Sequence, residues 1–167
     1  MVHPAAQATL TLLRDCTTRR TRRGGPGGQH RNKVETAVVI THRPTGLIGE
    51  ASERRSQDLN RQAALHRLRV ALALAVRSPV AAGSPPSDLW QVRTFRGKLT
   101  VNPEHVDFPA LLAEALDRLA ACDVDLAAAA GQLGVSPSQF VKFLKTETAG
   151  LEWLNLRRAE KGLLRLK

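Results

Sequence analysis

The sequence predicts an α+β protein: a small mixed or antiparallel sheet with a long helix packed on it, followed by a small helical C-terminal module with a helix-turn-helix-like core. Three observations carry this. Residues 37–41 (Ala-Val-Val-Ile-Thr) and 47–51 (Leu-Ile-Gly-Glu-Ala) are strand-forming stretches joined by the turn composition Pro44-Thr45-Gly46. Leu65, Leu68, Leu72 and Val76 then recur at helical spacing. Beyond Pro79, Gly83, Pro85 and Pro86 the chain changes to short, leucine- and alanine-rich helical segments.

Taken in order, Pro4 opens a short N-terminal helix over 4–14, with Leu10, Leu12 and Leu13 among alanines. Threonines and alternating arginines over 16–22 suit an exposed strand. One helical turn is expected over 29–33. The long helix starts near Ser56, an N-cap followed by Asp58 in the first turn, and Arg61, Arg67 and Arg69 point away from its apolar stripe. Residues 1–77 make the first domain and 78–89 a Pro/Ser/Gly linker.

The second module is expected over 90–167. A small hairpin turns around Arg96-Gly97 within 91–101, and Asp107 with Pro109 starts a helix carrying Leu112, Leu116 and Leu119. Asp125 starts another, which Gly134 ends, and Ser136-Pro137-Ser138-Gln139 is a capping box that launches Phe140 to Lys145. This pair resembles a helix-turn-helix. Leucines interleaved with Arg157, Arg158, Lys161, Arg165 and Lys167 read as an amphipathic helix to the last residue.

Composition sets the class. Apolar residues at 43% and charged residues at 24% are those of a globular chain, and with only 4% aromatics the aliphatic side chains are expected to fill the core. No apolar run is long enough to span a membrane and no signal segment opens the sequence, so a cytoplasmic protein without membrane partners is expected, its Cys16 and Cys122 being reduced thiols. The formal charge of +10 is uneven: residues 1–77 hold 14 Lys/Arg against 5 Asp/Glu, net +9, and 78–167 hold 11 against 10, net +1. A polyanion therefore meets the first domain. Residues 107–148 carry 6 acidic and 3 basic side chains, net −3, which disfavours DNA as the partner of the helix-turn-helix-like pair.

The first domain is organised around Gly24-Gly25-Pro26-Gly27-Gly28-Gln29-His30, between Arg19, Arg20, Arg22, Arg23 and Arg31-Asn32-Lys33. Glycines leave backbone N–H groups bare for close approach to a ligand, and the arginines attract phosphate. Nucleophile motifs, paired carboxylates on one helix face and a metal-ligand set among the five histidines are all missing, so neither metal nor cofactor is expected. A hydrolase can still work by positioning water and offering preorganised amides to a developing oxyanion.

Read on through Arg31-Asn32-Lys33-Val34-Glu35-Thr36-Ala37-Val38, then Thr41-His42-Arg43-Pro44-Thr45-Gly46 and Glu53-Arg54-Arg55-Ser56-Gln57-Asp58-Leu59-Asn60-Arg61, the sequence resembles the GGQ domain of class I peptide-chain release factors. The resemblance covers most of 16–76. It implies that Gly27, Gly28 and Gln29 enter the peptidyl-transferase centre and promote hydrolysis of the peptidyl-tRNA ester, the Gln29 amide stabilising the tetrahedral state. It implies as partners the ribosome, through large-subunit RNA, and peptidyl-tRNA, and brings a methyltransferase acting on Gln29 into the candidate set. RNA contacts would fall on Arg19, Arg20, Arg22, Arg23, His30, Arg31, Asn32, Lys33, Arg54, Arg55, Arg157, Arg158 and Lys161.

Two positions depart from the common pattern: Gly24, where serine is frequent, and Arg31, where valine is. Without room for a codon-reading domain, the chain looks like the short codon-independent relatives that rescue stalled ribosomes or separated large subunits, acting as a monomer. Those relatives usually finish in a loose basic tail, unlike this folded-looking end. The alternative reading is a non-catalytic ribosomal-RNA-binding protein associated with translation.

Overall fold

The computed structural model of the chain describes residues 2–21, 36–81 and 83–167. The glycine loop, the cations from Arg22 to Lys33 and the helical turn expected over 29–33 lie outside the described residues. The chain forms two compact units, Gln7–Leu72 and Met1–Ala6 with Ala73–Lys167.

In the first unit three strands, β1 (Cys16–Thr21), β2 (Ala37–His42) and β3 (Ile48–Ala51), form an antiparallel sheet in the order β1-β2-β3. β2 is central because it alone is apolar on both faces: Ala37, Val38 and Ile40 are buried, while Arg19 and Arg20 of edge strand β1 are exposed. The hairpin forms where turn chemistry placed it. Gly46 takes φ +72°, donates its N–H to the His42 carbonyl at 2.8 Å and sets the register Thr41↔Ile48.

The long helix α2 (Gln57–Ala75) buries Ala64, Leu68 and Leu72. It lies so close to β3 that a Cβ built on Gly49 would stand 2.1 Å from the Ala64 carbonyl oxygen and 2.5 Å from the Leu68 nitrogen. Between residues 7 and 72 there is no aromatic side chain, so this core is aliphatic, as composition predicts.

Two expectations fail here. Arg69 is not on the solvent side: it is 7% exposed, and its Nη2 donates to the Gln7 carbonyl at 2.8 Å and to Thr9 Oγ1 at 3.2 Å. The second concerns the N-terminal helix, which is split into a 3-10 turn (Pro4–Ala6) and α1 (Thr9–Arg14) because Ala8 between them leaves the helical region at ψ 144°.

The second unit contains α3 (Asp88–Arg93), a two-residue hairpin of β4 (Thr94–Phe95) and β5 (Lys98–Leu99), then α4 (Phe108–Ala121), α5 (Leu126–Gln132), α6 (Pro137–Leu144) and α7 (Thr148–Glu160). The hairpin turns at Arg96 (φ 48°) and Gly97 (φ 72°), both left-handed as its two-residue turn requires. It is shorter than expected, since Gln91 to Arg93 finish a helix that Ser87 caps by accepting the Trp90 N–H at 3.1 Å.

Asp125 accepts the Ala128 N–H and Ser136 the Gln139 N–H, so α5 and α6 begin where their caps predicted. Gly134 at φ 66° makes the turn between them.

Aromatics, not aliphatics alone, organise this core. Trp90 meets Phe143 at 5.8 Å and Phe140 at 6.3 Å edge-on, Phe108 meets Phe143 at 5.7 Å, and the Trp90 indole donates to the Leu133 carbonyl at 2.9 Å. The scarce aromatic side chains are concentrated rather than spread. Where a linker was expected, the backbone is tied to α4: Ser78 N–H donates to Asp117 at 3.0 Å, Ser87 N–H to Glu114 at 2.8 Å, and buried Arg118 donates to the Ser84 carbonyl at 3.0 Å.

The last helix also stops early. Gly162 at φ 70° lets the Leu163 N–H return to the Arg158 carbonyl, ending α7 at Glu160. Residues 163–167 fold back, and the Asn155 side chain grips Leu166 twice, donating to its carbonyl at 3.0 Å and accepting its N–H at 2.8 Å.

Candidate functional site: a cationic groove between β1 and α2

Thr21 and Ala37 are register partners, so the sheet holds both attachment points of residues 22–35 side by side. Next to them, Thr18, Arg19 and Arg20 of β1, Val38 of β2 and Gln57, Asp58 and Arg61 of α2 line an open groove of about 550 Å³. Edge strand β1 supplies two arginines, and the first turns of α2 close the other side.

The electrostatics follow from which cations are already spent. Arg67 Nη1 pairs with Glu53 at 2.7 Å and donates to the Glu50 carbonyl at 2.6 Å, and that pairing holds the Glu53 carboxyl below its ordinary range. Arg43 is spent on the backbone, donating to the Arg14 carbonyl at 2.5 Å. Among the described residues, Arg19, Arg20, Arg54, Arg55 and Arg61 have no carboxylate partner. With Asp58 the only acid lining the groove among the described residues, the arginine guanidinium groups make it attractive to phosphate.

Asn60 organises this end of the unit. It is wholly buried; its amide donates to the Thr36 carbonyl at 2.7 Å and the Arg54 carbonyl at 2.8 Å, and its oxygen accepts the Arg54 N–H at 2.9 Å. One side chain thereby ties the residue preceding β2 to the segment that presents Arg54 and Arg55. Sequence reasoning missed Gln57, Asn60 and Arg61 as site residues. The arginines Arg54, Arg55 and Arg61 around Asn60 were the signal available, but nothing local marks Asn60 as buried.

The remaining sequence-based candidates are divided. Gly27, Gly28, Gln29, Arg22, Arg23, His30, Arg31, Asn32 and Lys33 lie outside the described residues. In the other unit, Arg157 pairs with Glu160 at 3.1 Å, Arg158 donates to the Leu164 carbonyl at 2.9 Å, and Lys161 pairs with Asp123. Among the described residues no three His, Cys, Asp or Glu side chains are grouped to hold a metal, and no helix is long and apolar enough to cross a membrane.

Known proteins resemble one part of this chain. Residues 12–82 match the RF-1 domain model. Peptide chain release factor 1 of Acidiphilium cryptum is 47% identical over 73 residues, 44% of this chain and 21% of that protein. The Xylella fastidiosa protein of that name is 44% identical over 71 residues (42% and 20%), and the Caldicellulosiruptor saccharolyticus one 53% over 51 residues (30% and 14%). The match thus spans about a fifth or less of these curated relatives. No solved structure matches the chain. Residues 12–82, which carry the sheet, the glycine loop and the arginine groove, are thus similar to the RF-1 domain of peptide chain release factors.

Proposed function

We propose that the protein hydrolyses the peptidyl-tRNA ester at the peptidyl-transferase centre of the ribosome, and does so without reading a codon, on stalled ribosomes or separated large subunits. The observation that carries the reaction is Gly27-Gly28-Gln29 within the residues that match the RF-1 domain. In this reading the Gln29 amide supplies a preorganised donor to the tetrahedral oxyanion, and its side chain excludes nucleophiles larger than water. Arg19, Arg20, Arg54, Arg55 and Arg61 seat the domain on large-subunit RNA, the loop cations from Arg22 to Lys33 extend that surface, and Arg157, Arg158 and Lys161 add a second.

Codon independence rests on resemblance to the short rescue relatives. A non-catalytic RNA-binding role is the rival, because the arginine groove would serve it equally well. Single-turnover peptide release from purified complexes separates them. Wild-type protein is expected to release peptide at rates within a few-fold on complexes carrying a stop codon, a sense codon or no codon, and Gly28→Ala to lower the rate by roughly two to three orders of magnitude. Absence of release by wild-type protein rejects catalysis, and a strong stop-codon preference rejects codon independence.

A further inference from the structure

The helix-turn-helix-like pair has an outward face of its own. Leu126 of α5, Pro137, Ser138, Val141 and Lys142 of α6 and Lys145 at its C-cap line an open groove of about 470 Å³. Its floor is aliphatic, with half-buried Leu126 and Val141 beside exposed Pro137, and two exposed lysines stand along α6 at the i, i+3 spacing that keeps them on one side of a helix.

The net −3 of residues 107–148 suggests that such lysines would be answered within the module. They are not. Asp107 pairs with Arg93 at 2.5 Å, Asp117 with Arg77 at 3.3 Å and Asp123 with Lys161. Glu114 accepts from Ser87, and Asp125 and Glu147 cap α5 and α7, where the helix dipole offsets their charge. All six acids are engaged elsewhere, and among the described residues Lys142 and Lys145 have no ionic partner.

We propose that this groove is a docking site for an acidic amphipathic helix of a partner protein, apolar side chains seated on Leu126, Pro137 and Val141 and carboxylates meeting Lys142 and Lys145. The surface has an aliphatic floor and cationic rim, the complement of such a helix. Nucleic acid fits it less well: the groove offers no arginine, no amide side chain for base edges and no aromatic ring for stacking. The inference is independent of the peptide-release reading.

The test uses the full chain. A phage-displayed library of helical peptides is first depleted on the Lys142→Glu/Lys145→Glu variant, which removes peptides held by the arginines of the other unit, and then selected on the wild type. Enriched peptides are expected to carry apolar residues at i and i+3 or i+4 flanked by carboxylates. Their affinity, read by fluorescence anisotropy, should fall at least about tenfold on the double variant. Exchanging the peptide's carboxylates for lysines should restore binding to that variant. Both substitutions are on exposed side chains, and an unchanged circular dichroism spectrum checks the fold. Failure to enrich any peptide, or affinity indifferent to the two lysines, overturns the proposal. So does a labelled RNA hairpin whose binding the double variant weakens with a shallower salt dependence, since that would make the face a nucleic-acid surface.

Discussion

The amide of Asn60 donates to the carbonyl of Thr36, 24 residues earlier, at 2.7 Å, and no water competes for it because Asn60 is wholly buried. Asn60→Ala would leave the Thr36 carbonyl and both polar backbone groups of Arg54 without this partner. A loss of about 3 kcal/mol of stability is expected, read from the urea midpoint. A loss under about 1 kcal/mol would mean water replaces the amide, and the side chain would not be what ties these segments.

Gly49 and Gly131 should respond to alanine with opposite signs. At Gly49 the added Cβ meets backbone of α2 at 2.1 and 2.5 Å, so helix and sheet must separate, and a loss of about 3 kcal/mol is expected. Gly131, inside α5, has nothing within 4 Å of its Cβ site. Gly131→Ala should therefore stabilise by about 0.5–1 kcal/mol, the helical penalty of glycine removed. Paired denaturation curves decide both.

If the arginine groove holds RNA phosphates, Arg19→Ala/Arg20→Ala/Arg61→Ala should weaken binding of a labelled RNA hairpin and flatten its salt dependence. The log–log slope should fall by roughly 0.7–0.9 for each phosphate no longer neutralised. An unchanged slope would remove these arginines from the interface.

His3 gives the second unit a pH dependence of definite sign. Its Nδ1 accepts the Ala5 N–H at 3.0 Å and its Nε2 donates to the Val76 carbonyl at 3.1 Å, an arrangement that only the neutral ring satisfies. Burial pushes the imidazole below its ordinary value, against the opposing pull of the Val76 carbonyl and Asp117. The unfolded chain therefore binds the proton more readily. This contribution to stability is present above about pH 6.5 and is lost as pH falls below it. The urea midpoint of wild-type protein should drop between pH 7 and 5.5, and that of His3→Gln should change less.

What could be read in advance was what neighbouring residues decide. Pro44-Thr45-Gly46 fixed a hairpin, Ser136-Pro137 and Asp125 fixed two helix starts, and the glycine loop with its following motif marked the likeness of residues 12–82 to the RF-1 domain, because caps, turns and motifs are local. Arg69, Asn60 and Asp117 were illegible for the opposite reason. Each is a polar residue buried on a partner far along the chain, Gln7, Thr36 and Ser78 respectively, and local pattern assigns such residues to solvent. The net charge of 107–148 is likewise only a sum, which does not separate acids engaged in pairs and caps from lysines left open.

The double grip of Asn155 on Leu166 makes residues 163–167 a latch with an energy attached. With the Arg158 bond to the Leu164 carbonyl, three hydrogen bonds of about 0.5–1.5 kcal/mol each place the detached form roughly 1.5–4.5 kcal/mol above the closed one. That corresponds to an open population between about one molecule in 14 and one in 2,000. Any partner that captures this basic segment in extended form must first draw on that minority, and its apparent affinity is reduced by the same factor.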